Sequence, residues 1–219
     1  MALSPAVFLD KDGTLVENVP YNVDPARIEL AAGAGNALRR LRRSGFKLLV
    51  VSNQAGVAEG RFSEQALVQV HARLRELLAR RGAALDGFYY CPHATNAGCR
   101  CRKPRPGLLL RAARRHRVDL ARSWMFGDIL DDIEAGHRAG CRAVLIDAGN
   151  ETQWRAGPMR RPDYRVRSLR EAATAVGAAP ALERSGGRRR LPTARIERDG
   201  RATAGPVPRG PRFAGAPRR

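Results

Sequence analysis

The sequence predicts an α/β fold in three layers, with a mostly parallel sheet and helices on both of its faces. Two observations predict it. Short apolar runs alternate along the chain with segments of helical periodicity, and such alternation builds parallel sheets that are covered on both faces. Polar residues also follow three of the runs, namely Asp10, Ser52 and Asp128. Because ligands bind at the carboxyl ends of parallel strands, we expect the functional site at this edge.

Five short apolar or aromatic runs are typical of buried strands. In chain order they are residues 6–9, 46–51, 88–90, 123–126 and 142–146. Four of these runs are only three to five residues long, which is too short for a helix and suits a strand. The runs are therefore predicted to form the sheet.

Five segments between or after these runs are predicted to be helices. They are residues 33–44, 63–81, 106–116, 131–139 and 168–176. Leu38 and Leu41 are three positions apart in the first helix, which Gly45 ends. Ser63 is a suitable N-cap for the second helix, and Pro106 suits the start of the third.

Length and composition indicate one domain followed by a basic tail. The chain has 219 residues, of which 43% are hydrophobic and 28% are charged, which is ordinary for a soluble domain. Residues 180–219 contain 11 Arg, three acidic residues, six Pro and six Gly, with no apolar periodicity. We therefore expect a folded domain over residues 1–179 and a disordered tail over residues 180–219.

Charge and hydropathy exclude several classes of protein. No run approaches 18 apolar residues and the N-terminus lacks a positive region, so we expect no membrane span, no secretory signal and a cytoplasmic protein. The net charge of +19 results from 37 Arg and three Lys against 21 acidic residues. A chain this rich in Arg and Ala is typical of a GC-rich genome, and its positive charge favours an anionic substrate. A nucleic-acid-binding protein is the alternative from another class. The tail lacks interleaved aromatic residues, so we expect at most loose, non-specific contact.

The motif LDKDGT follows the first predicted strand and carries two carboxylates, Asp10 and Asp12. Carboxylates this close together can share a divalent cation. One can attack as a nucleophile while the other donates and accepts a proton. Gly13 allows a sharp turn after the strand. The alternative interpretation is a strand followed by an ordinary Asp-Gly turn.

Two further motifs carry groups that suit a phosphate. The segment SNQAG begins with Ser52 at the end of a predicted strand, and its hydroxyl, amides and backbone can hold phosphate oxygens. A plain turn is the alternative. Arg102 and Lys103 follow a cysteine-rich loop. The lysine can neutralise a phosphoryl group, and the arginine can hold a second anion through two hydrogen bonds.

The motif GDILDD places Asp128 at a strand end, where its carboxylate can complete the coordination of a cation. Asp132 is better placed to anchor the loop or the first lysine of the chain. Asp131 has a simpler explanation as a negative charge at the beginning of a helix.

Taken in this order on alternating strands and helices, the four motifs resemble the haloacid dehalogenase superfamily of phosphatases, over roughly residues 5–177. The resemblance implies that Asp10 forms an aspartyl-phosphate and that Asp12 is the general acid and base. It implies that Ser52 and Lys103 steady the phosphoryl group. It further implies a catalytic Mg²⁺ held by Asp10, Asp128 and the carbonyl of Asp12.

A cluster of cysteine and histidine precedes Arg102. Four zinc-type ligands lie within eleven residues, namely Cys91, His93, Cys99 and Cys101. A set of three Cys and one His leaves no position for a catalytic water, so it is typical of structural zinc. Chance clustering of buried cysteines is the alternative, and Cys141 is interpreted as a core residue.

Within the superfamily, the segment CPH…CxCRKP resembles phosphatases of two groups. One acts on heptose 1,7-bisphosphates in nucleotide-activated heptose precursor biosynthesis, and the other acts on histidinol phosphate. The segments ENVPYNVDPARIEL, SNQAGVAEGRF and FYYCPH are more similar to the heptose group, which implies hydrolysis of the 7-phosphate. Histidinol phosphate or another small phosphosugar remains the alternative substrate, and the preferred anomer stays open.

This resemblance implies a set of residues that bind a small phosphorylated sugar. Arg102 is expected to hold the anomeric phosphate, and residues from Asn18 to Tyr21 are expected to line the sugar pocket. The other expected substrate-binding residues are Gly13, Thr14, Asn53 and Gln54. Ile129 departs from the pattern, because some heptose enzymes carry a lysine there that contacts the substrate. We expect a monomer.

Overall fold

The structure is a computed structural model that describes residues 2–177, so the predicted tail over residues 180–219 lies outside the described residues. Six strands form one sheet in the order β3-β2-β1-β4-β5-β6, and every pairing is parallel. The strands are β1 (Ala6–Leu9), β2 (Lys47–Asn53), β3 (Gly87–Cys91), β4 (Trp124–Gly127), β5 (Arg142–Ile146) and β6 (Tyr164–Val166). All carboxyl ends therefore point to one edge.

Helices cover both faces of this sheet. They are α1 (Ala34–Arg43), α2 (Glu64–Ala79), α3 (Gly107–His116), α4 (Leu130–Ala139) and α5 (Leu169–Gly177). Val7 and Leu9 of β1 pack in one core with residues of α1, α2 and α5, whereas Ala6 and Phe8 pack in a second core with residues of α3 and α4. Because both faces are buried there, the central strands β1, β2, β4 and β5 are apolar at successive positions. The predicted three-layer α/β fold is confirmed.

The boundaries of several elements differ from the prediction by one or two residues. The strand predicted at residues 46–51 ends at Asn53, because Ser52 and Asn53 still pair with Tyr90 and Cys91 of β3. The helix after Ser63 ends at Ala79, two residues before the predicted end. Ser63 is its N-cap as predicted, and its hydroxyl accepts from the Ala66 N–H at 3.2 Å. The polar residues Ser52 and Asn53 are therefore the last two residues of β2 and do not lie in the loop after it.

The sequence did not indicate β6, the edge strand. It has only three residues, and it pairs with β5 from Val144 to Ile146. Tyr164 stacks on Trp124 of β4 with ring centroids 5.6 Å apart. A three-residue strand of mixed polarity has no distinctive periodicity, so tertiary contacts determine it.

None of the helices within residues 2–177 combines the length and the apolar character that spanning a bilayer would need.

Candidate active site

The carboxyl edge of the sheet carries a cavity of about 260 Å³. Asp10 follows β1, Ser52 lies in β2, Asp128 follows β4, and all three line this cavity together with Asp12 and Lys103. These predicted catalytic and magnesium-binding residues come from four separate parts of the chain. The parallel sheet brings them together because its strands end at the same edge.

Lys103 is buried at the centre of this group. Its Nζ lies 2.7 Å from Asp10 Oδ1 and 2.7 Å from Asp132 Oδ1, and it donates to the Val51 carbonyl at 3.0 Å. Burial alone lowers the pKa of Lys103, but the two carboxylates outweigh it and raise this pKa above its ordinary value. The lysine therefore stays cationic beside Asp10. Asp132 anchors Lys103 and not the first lysine of the chain, because Lys11 pairs with Asp12.

Three buried carboxylates form a group that suits a divalent cation. The carboxylates of Asp10, Asp128 and Asp132 each offer an oxygen, and these atoms lie within 4.8 Å of one another. Burial, and then the negative charges of Asp10 and Asp132, raise the pKa of Asp128 to about 8. Carboxylate oxygens are the ligands that Mg²⁺ prefers. A cation here would relieve the mutual repulsion of these groups. Both oxygens of Asp132 already have partners, Lys103 and the Ile129 N–H, so Asp10 and Asp128 are the carboxylates that fit Mg²⁺.

The turn after β1 fits closely against Asp128. Gly13 has a φ of +77°, and a Cβ at this position would lie 2.1 Å from Asp128 Oδ2. The Thr14 side chain is buried, and its hydroxyl donates to Asp128 Oδ1 at 3.4 Å. Gly13 and Thr14, which are predicted to bind substrate, therefore both lie against the carboxylate of Asp128.

Asp12 lies beside Asp10 with different partners. Lys11 Nζ lies 2.7 Å from its Oδ1, and Gln54 Nε2 donates to its Oδ2 at 3.1 Å. Burial raises the pKa of Asp12, although Lys11 opposes part of this effect. A carboxyl with a raised pKa retains its proton at higher pH, which suits a general acid.

Two predicted substrate-binding amides make contacts within the protein. Gln54 Nε2 also donates to the Ser52 hydroxyl at 2.8 Å. The Asn53 side chain holds the backbone of Lys103 through two hydrogen bonds. These residues fix Ser52, Asp12 and Lys103 in place.

A second cavity of about 280 Å³ adjoins the first, and both are lined by Asp12, Asn18, Asn53 and Arg102. The buried Nη1 of Arg102 has no hydrogen-bond partner among the described residues. A buried guanidinium nitrogen without a partner is costly, and an anion would satisfy it.

Tyr21 forms part of the wall of this second cavity and is half exposed. The guanidinium of Arg61 lies 4.2 Å from its ring centroid. The predicted sugar-pocket residues thus surround a space next to Asp12.

The four predicted zinc ligands also come together. The Cys101 Sγ lies 3.3 Å from Cys91 Sγ, 3.5 Å from Cys99 Sγ and 3.2 Å from His93 Nδ1. Cys91 Sγ lies 3.6 Å from Cys99 Sγ and 3.5 Å from His93 Nδ1. Ligands of a tetrahedral zinc ion are about 3.5–3.8 Å apart, as follows from bond lengths of about 2.0–2.3 Å. The donor set therefore fits zinc, and the five distances lie at or slightly below this spacing.

Sequence reasoning missed three residues near the cavities. Lys11 is buried, and a lysine between two aspartates was the signal that could have revealed it. Asn150 accepts a hydrogen bond from Asn18 Nδ2 at 3.1 Å, and Glu151 accepts one from the Leu130 N–H at 2.7 Å. Asn150 and Glu151 lie in a polar loop after β5 whose composition gives no such signal.

Sequence comparisons relate the chain to known phosphatases. A family model described as HAD-hydrolase-like matches residues 100–172. The chain is 39% identical over 154 residues to the D-glycero-beta-D-manno-heptose-1,7-bisphosphate 7-phosphatase of Pasteurella multocida, which covers 67% of this chain and 84% of the relative. For the protein of the same name from Escherichia coli K12, the identity is 37% over 166 residues, which cover 73% of this chain and 83% of the relative. For that of Photorhabdus laumondii it is 41% over 160 residues, with 70% and 81% covered.

The solved structures that are similar to this fold include two phosphatases. One is the D,D-heptose 1,7-bisphosphate phosphatase from B. bronchiseptica complexed with magnesium and phosphate, with a TM-score of 0.71, 30% identity, and coverage of 78% of this chain and 97% of that one. The other is a putative HAD-like phosphatase from Mesorhizobium loti, with a TM-score of 0.68, 32% identity, and coverage of 81% and 88%.

Proposed function

This chain belongs to the family of HAD-like hydrolases, and we propose that it removes the 7-phosphate of D-glycero-D-manno-heptose 1,7-bisphosphate. It is a phosphoric monoester hydrolase. The proposed substrate rests on relatives of that name at 37–41% identity. The observation that carries the chemistry is the contact of Asp10 Oδ1 with Lys103 Nζ at 2.7 Å, beside Asp128 and within reach of Asp12.

The proposed reaction has two steps. In the first step, a carboxylate oxygen of Asp10 attacks the phosphorus of the 7-phosphate, and the bond between phosphorus and the sugar oxygen breaks. The leaving oxygen takes the proton of the Asp12 carboxyl, whose raised pKa favours that protonated form. In the second step, Asp12 accepts a proton from a water that attacks the aspartyl-phosphate. This step releases inorganic phosphate and restores Asp10.

The charges of the site support this chemistry. A carboxylate that approaches a phosphate meets like charge, so cations must be present. Lys103 supplies one positive charge, and we propose that Ser52 holds a phosphoryl oxygen beside it. Asp10, Asp128 and the carbonyl of Asp12 would hold Mg²⁺. When bound, this ion would supply neutralising charge on the phosphoryl oxygens.

The second cavity supports a substrate with two phosphates. The unpartnered Nη1 of Arg102 is the kind of donor that a second phosphate would satisfy. Asn18 and Tyr21 line the space between Arg102 and Asp12, which is where the heptose would lie. Histidinol phosphate has no second phosphate, so it would leave this donor unsatisfied.

We further propose that Cys91, His93, Cys99 and Cys101 hold a structural zinc ion. The ligand spacing described above supports it, and zinc would join the end of β3 to the segment that continues directly into Arg102 and Lys103. This zinc would orient both side chains without contacting the substrate. Four reduced thiols suit the cytoplasm, which is the compartment we propose. The protein is further proposed to act as a monomer.

The test is phosphate release from a panel of substrates. It comprises the α- and β-anomers of heptose 1,7-bisphosphate, histidinol phosphate and simple sugar phosphates, with the Asp10→Asn protein as the blank. We expect kcat/KM to be highest, by at least tenfold, for one of the two heptose bisphosphates. Equal or faster hydrolysis of histidinol phosphate would reject the proposed substrate but would leave the phosphatase chemistry intact.

A further inference from the structure

The loop that follows β5 reaches the active site. We define the β5 loop as residues 147–153. Its Asn150 lines the cavity that contains Asp10 and Lys103, and it also lines a neighbouring cavity of about 430 Å³. Asn150 Oδ1 accepts a hydrogen bond from Asn18 Nδ2 at 3.1 Å, across 132 positions of the sequence. The β5 loop is therefore joined to the loop after β1 at the mouth of the active site.

Glu151 anchors the β5 loop to the first turn of α4. Its Oε2 accepts from the Leu130 N–H at 2.7 Å, and its Oε1 accepts from the Gln153 N–H at 2.6 Å. A carboxylate at the beginning of a helix is stabilised by the free N–H groups there. Because α4 begins just after Asp128, this contact fixes the backbone beside Asn150 relative to the Asp128 carboxylate.

The amide of Asn150 also packs against the turn of the first motif. Its Nδ2 lies 2.6 Å from the position that a Cβ on Gly13 would take, and Asp128 Oδ2 lies 2.1 Å from the same position. The side chain of Asn150 therefore contacts the loop after β1 at two points, Gly13 and Asn18.

We propose that Asn150 is a positioning residue that sets substrate specificity. It does so by holding Asn18 in place as part of the wall of the second cavity. Asn18 lines that cavity together with Tyr21 and Arg102. The Asn18 side chain is exposed, so without Asn150 it would sample several rotamers and would have to be ordered when the sugar binds. A wall that is ordered beforehand lowers this entropic cost. The identity of the sugar rests on the proposed function, whereas the contact itself does not.

The test is a double-mutant cycle of Asn18→Ala, Asn150→Ala and both together. The readouts are KM, kcat and the ratio of kcat/KM for the heptose bisphosphate to that for a small aryl phosphate. A hydrogen bond contributes a factor of roughly threefold to tenfold. We expect either single change to lower the ratio by roughly that factor, mainly through KM, and the double variant to lose no more than either single variant. Asn36→Ala, on the surface of α1, is the matched control and should behave as wild type.

Losses that multiply in the double variant would overturn the proposal, as would an Asn150→Ala protein with the wild-type ratio. Amide hydrogen exchange of residues 14–22 provides a readout that needs no substrate. We expect faster exchange in Asn150→Ala, and unchanged exchange would also reject the role of Asn150. If wild type shows no preference for heptose bisphosphate, the proposed function fails while the exchange result still decides about Asn150.

Discussion

The side-chain amide of Asn53 binds both polar groups of the Lys103 backbone. Asn53 Oδ1 accepts from the Lys103 N–H at 3.0 Å, and Asn53 Nδ2 donates to the Lys103 carbonyl at 3.2 Å. Lys103 in turn places its ammonium 2.7 Å from the Asp10 carboxylate. The last residue of β2 thus fixes a lysine 50 positions later in the chain.

Asn53→Ala should lower kcat by roughly tenfold, because a small displacement of a charged group at the reacting centre slows the reaction. Two lost hydrogen bonds should also lower the free energy of unfolding by about 1–3 kcal/mol. Phosphate release and chemical denaturation measure the two effects. Asn36→Ala is the control, and a wild-type kcat in Asn53→Ala would contradict a role in positioning Lys103.

Asp10→Asn should abolish turnover, with activity at least roughly a thousandfold below wild type, because an amide does not attack phosphorus. The change is nearly isosteric, and Lys103 retains its contact with Asp132, so the fold should persist by circular dichroism. Asp147→Asn removes a carboxylate from a surface ion pair with Arg165 and serves as the control. Turnover near the wild-type rate in Asp10→Asn would disprove the nucleophile assignment.

Arg102→Met should raise KM for the heptose bisphosphate by roughly tenfold to a hundredfold, because a charge-assisted contact to a phosphate contributes about 1.5–3 kcal/mol. The matched comparison is the 7-monophosphate, which lacks the second anion and should lose much less. Steady-state kinetics on both substrates measure the difference. Equal losses on the two substrates would show that Arg102 acts on the transferred phosphate instead.

The contact between His137 and Asp163 should make stability depend on pH. Both ring nitrogens of His137 face oxygens, those of Asp163 and of the Met159 carbonyl, each at 2.9 Å. The Asp163 contact raises the pKa of His137 above its ordinary 6.5, although burial opposes it. Burial raises the pKa of Asp163, but the bonds from His137 and from the Ala143 N–H outweigh it and hold this pKa below 3.8.

The stabilisation from His137 is complete below pH 6.5 and is lost as pH rises through its raised pKa. That from Asp163 is present above pH 3.8 and is lost as pH falls through its lowered pKa. His137→Gln should therefore lower the free energy of unfolding most between about pH 4 and 6.5, by about 1 kcal/mol. Denaturation curves across pH 4–9 measure this, and a deficit that grows toward pH 9 would contradict the charged pair.

The protein purified without chelator should contain one equivalent of zinc, and Cys99→Ser should lose it. Activity and melting temperature should fall with the zinc, because the segment that leads to Arg102 and Lys103 loosens. Magnesium should not restore them, since a hard cation prefers oxygen ligands. Cys141→Ala removes a buried thiol outside the cluster and should retain zinc by elemental analysis. Fully active wild-type protein without zinc would refute the site.

The elements that sequence patterns predicted well are those that local chemistry defines. The apolar run of β1, the N-cap Ser63 and Gly45 after α1 each act within a few residues of the chain. The edge strand β6 has no such local signal. It forms because Tyr164 stacks on Trp124 and its backbone pairs with β5.

The candidate site likewise contains residues that the sequence identified and contacts that only the structure shows. Asp10, Asp12 and Asp128 could be identified from the sequence because each follows an apolar run and parallel strands end at one edge. The amides of Asn53 and Gln54 were expected to face the substrate. Both residues line the second cavity, and the folded chain also gives their amides partners that no sequence pattern indicates, the Lys103 backbone and the Asp12 carboxylate.

By itself, the sequence determined which chemical groups are present and which strand each one follows, because chain connectivity and strand polarity require no knowledge of distant contacts. Only the tertiary structure decided which of those groups touch. Lys103 and Asp10 are 93 positions apart in the chain, and Asn18 and Asn150 are 132 positions apart. Contacts at such separations depend on how helices and loops pack over the sheet, and no local pattern in the chain encodes that packing.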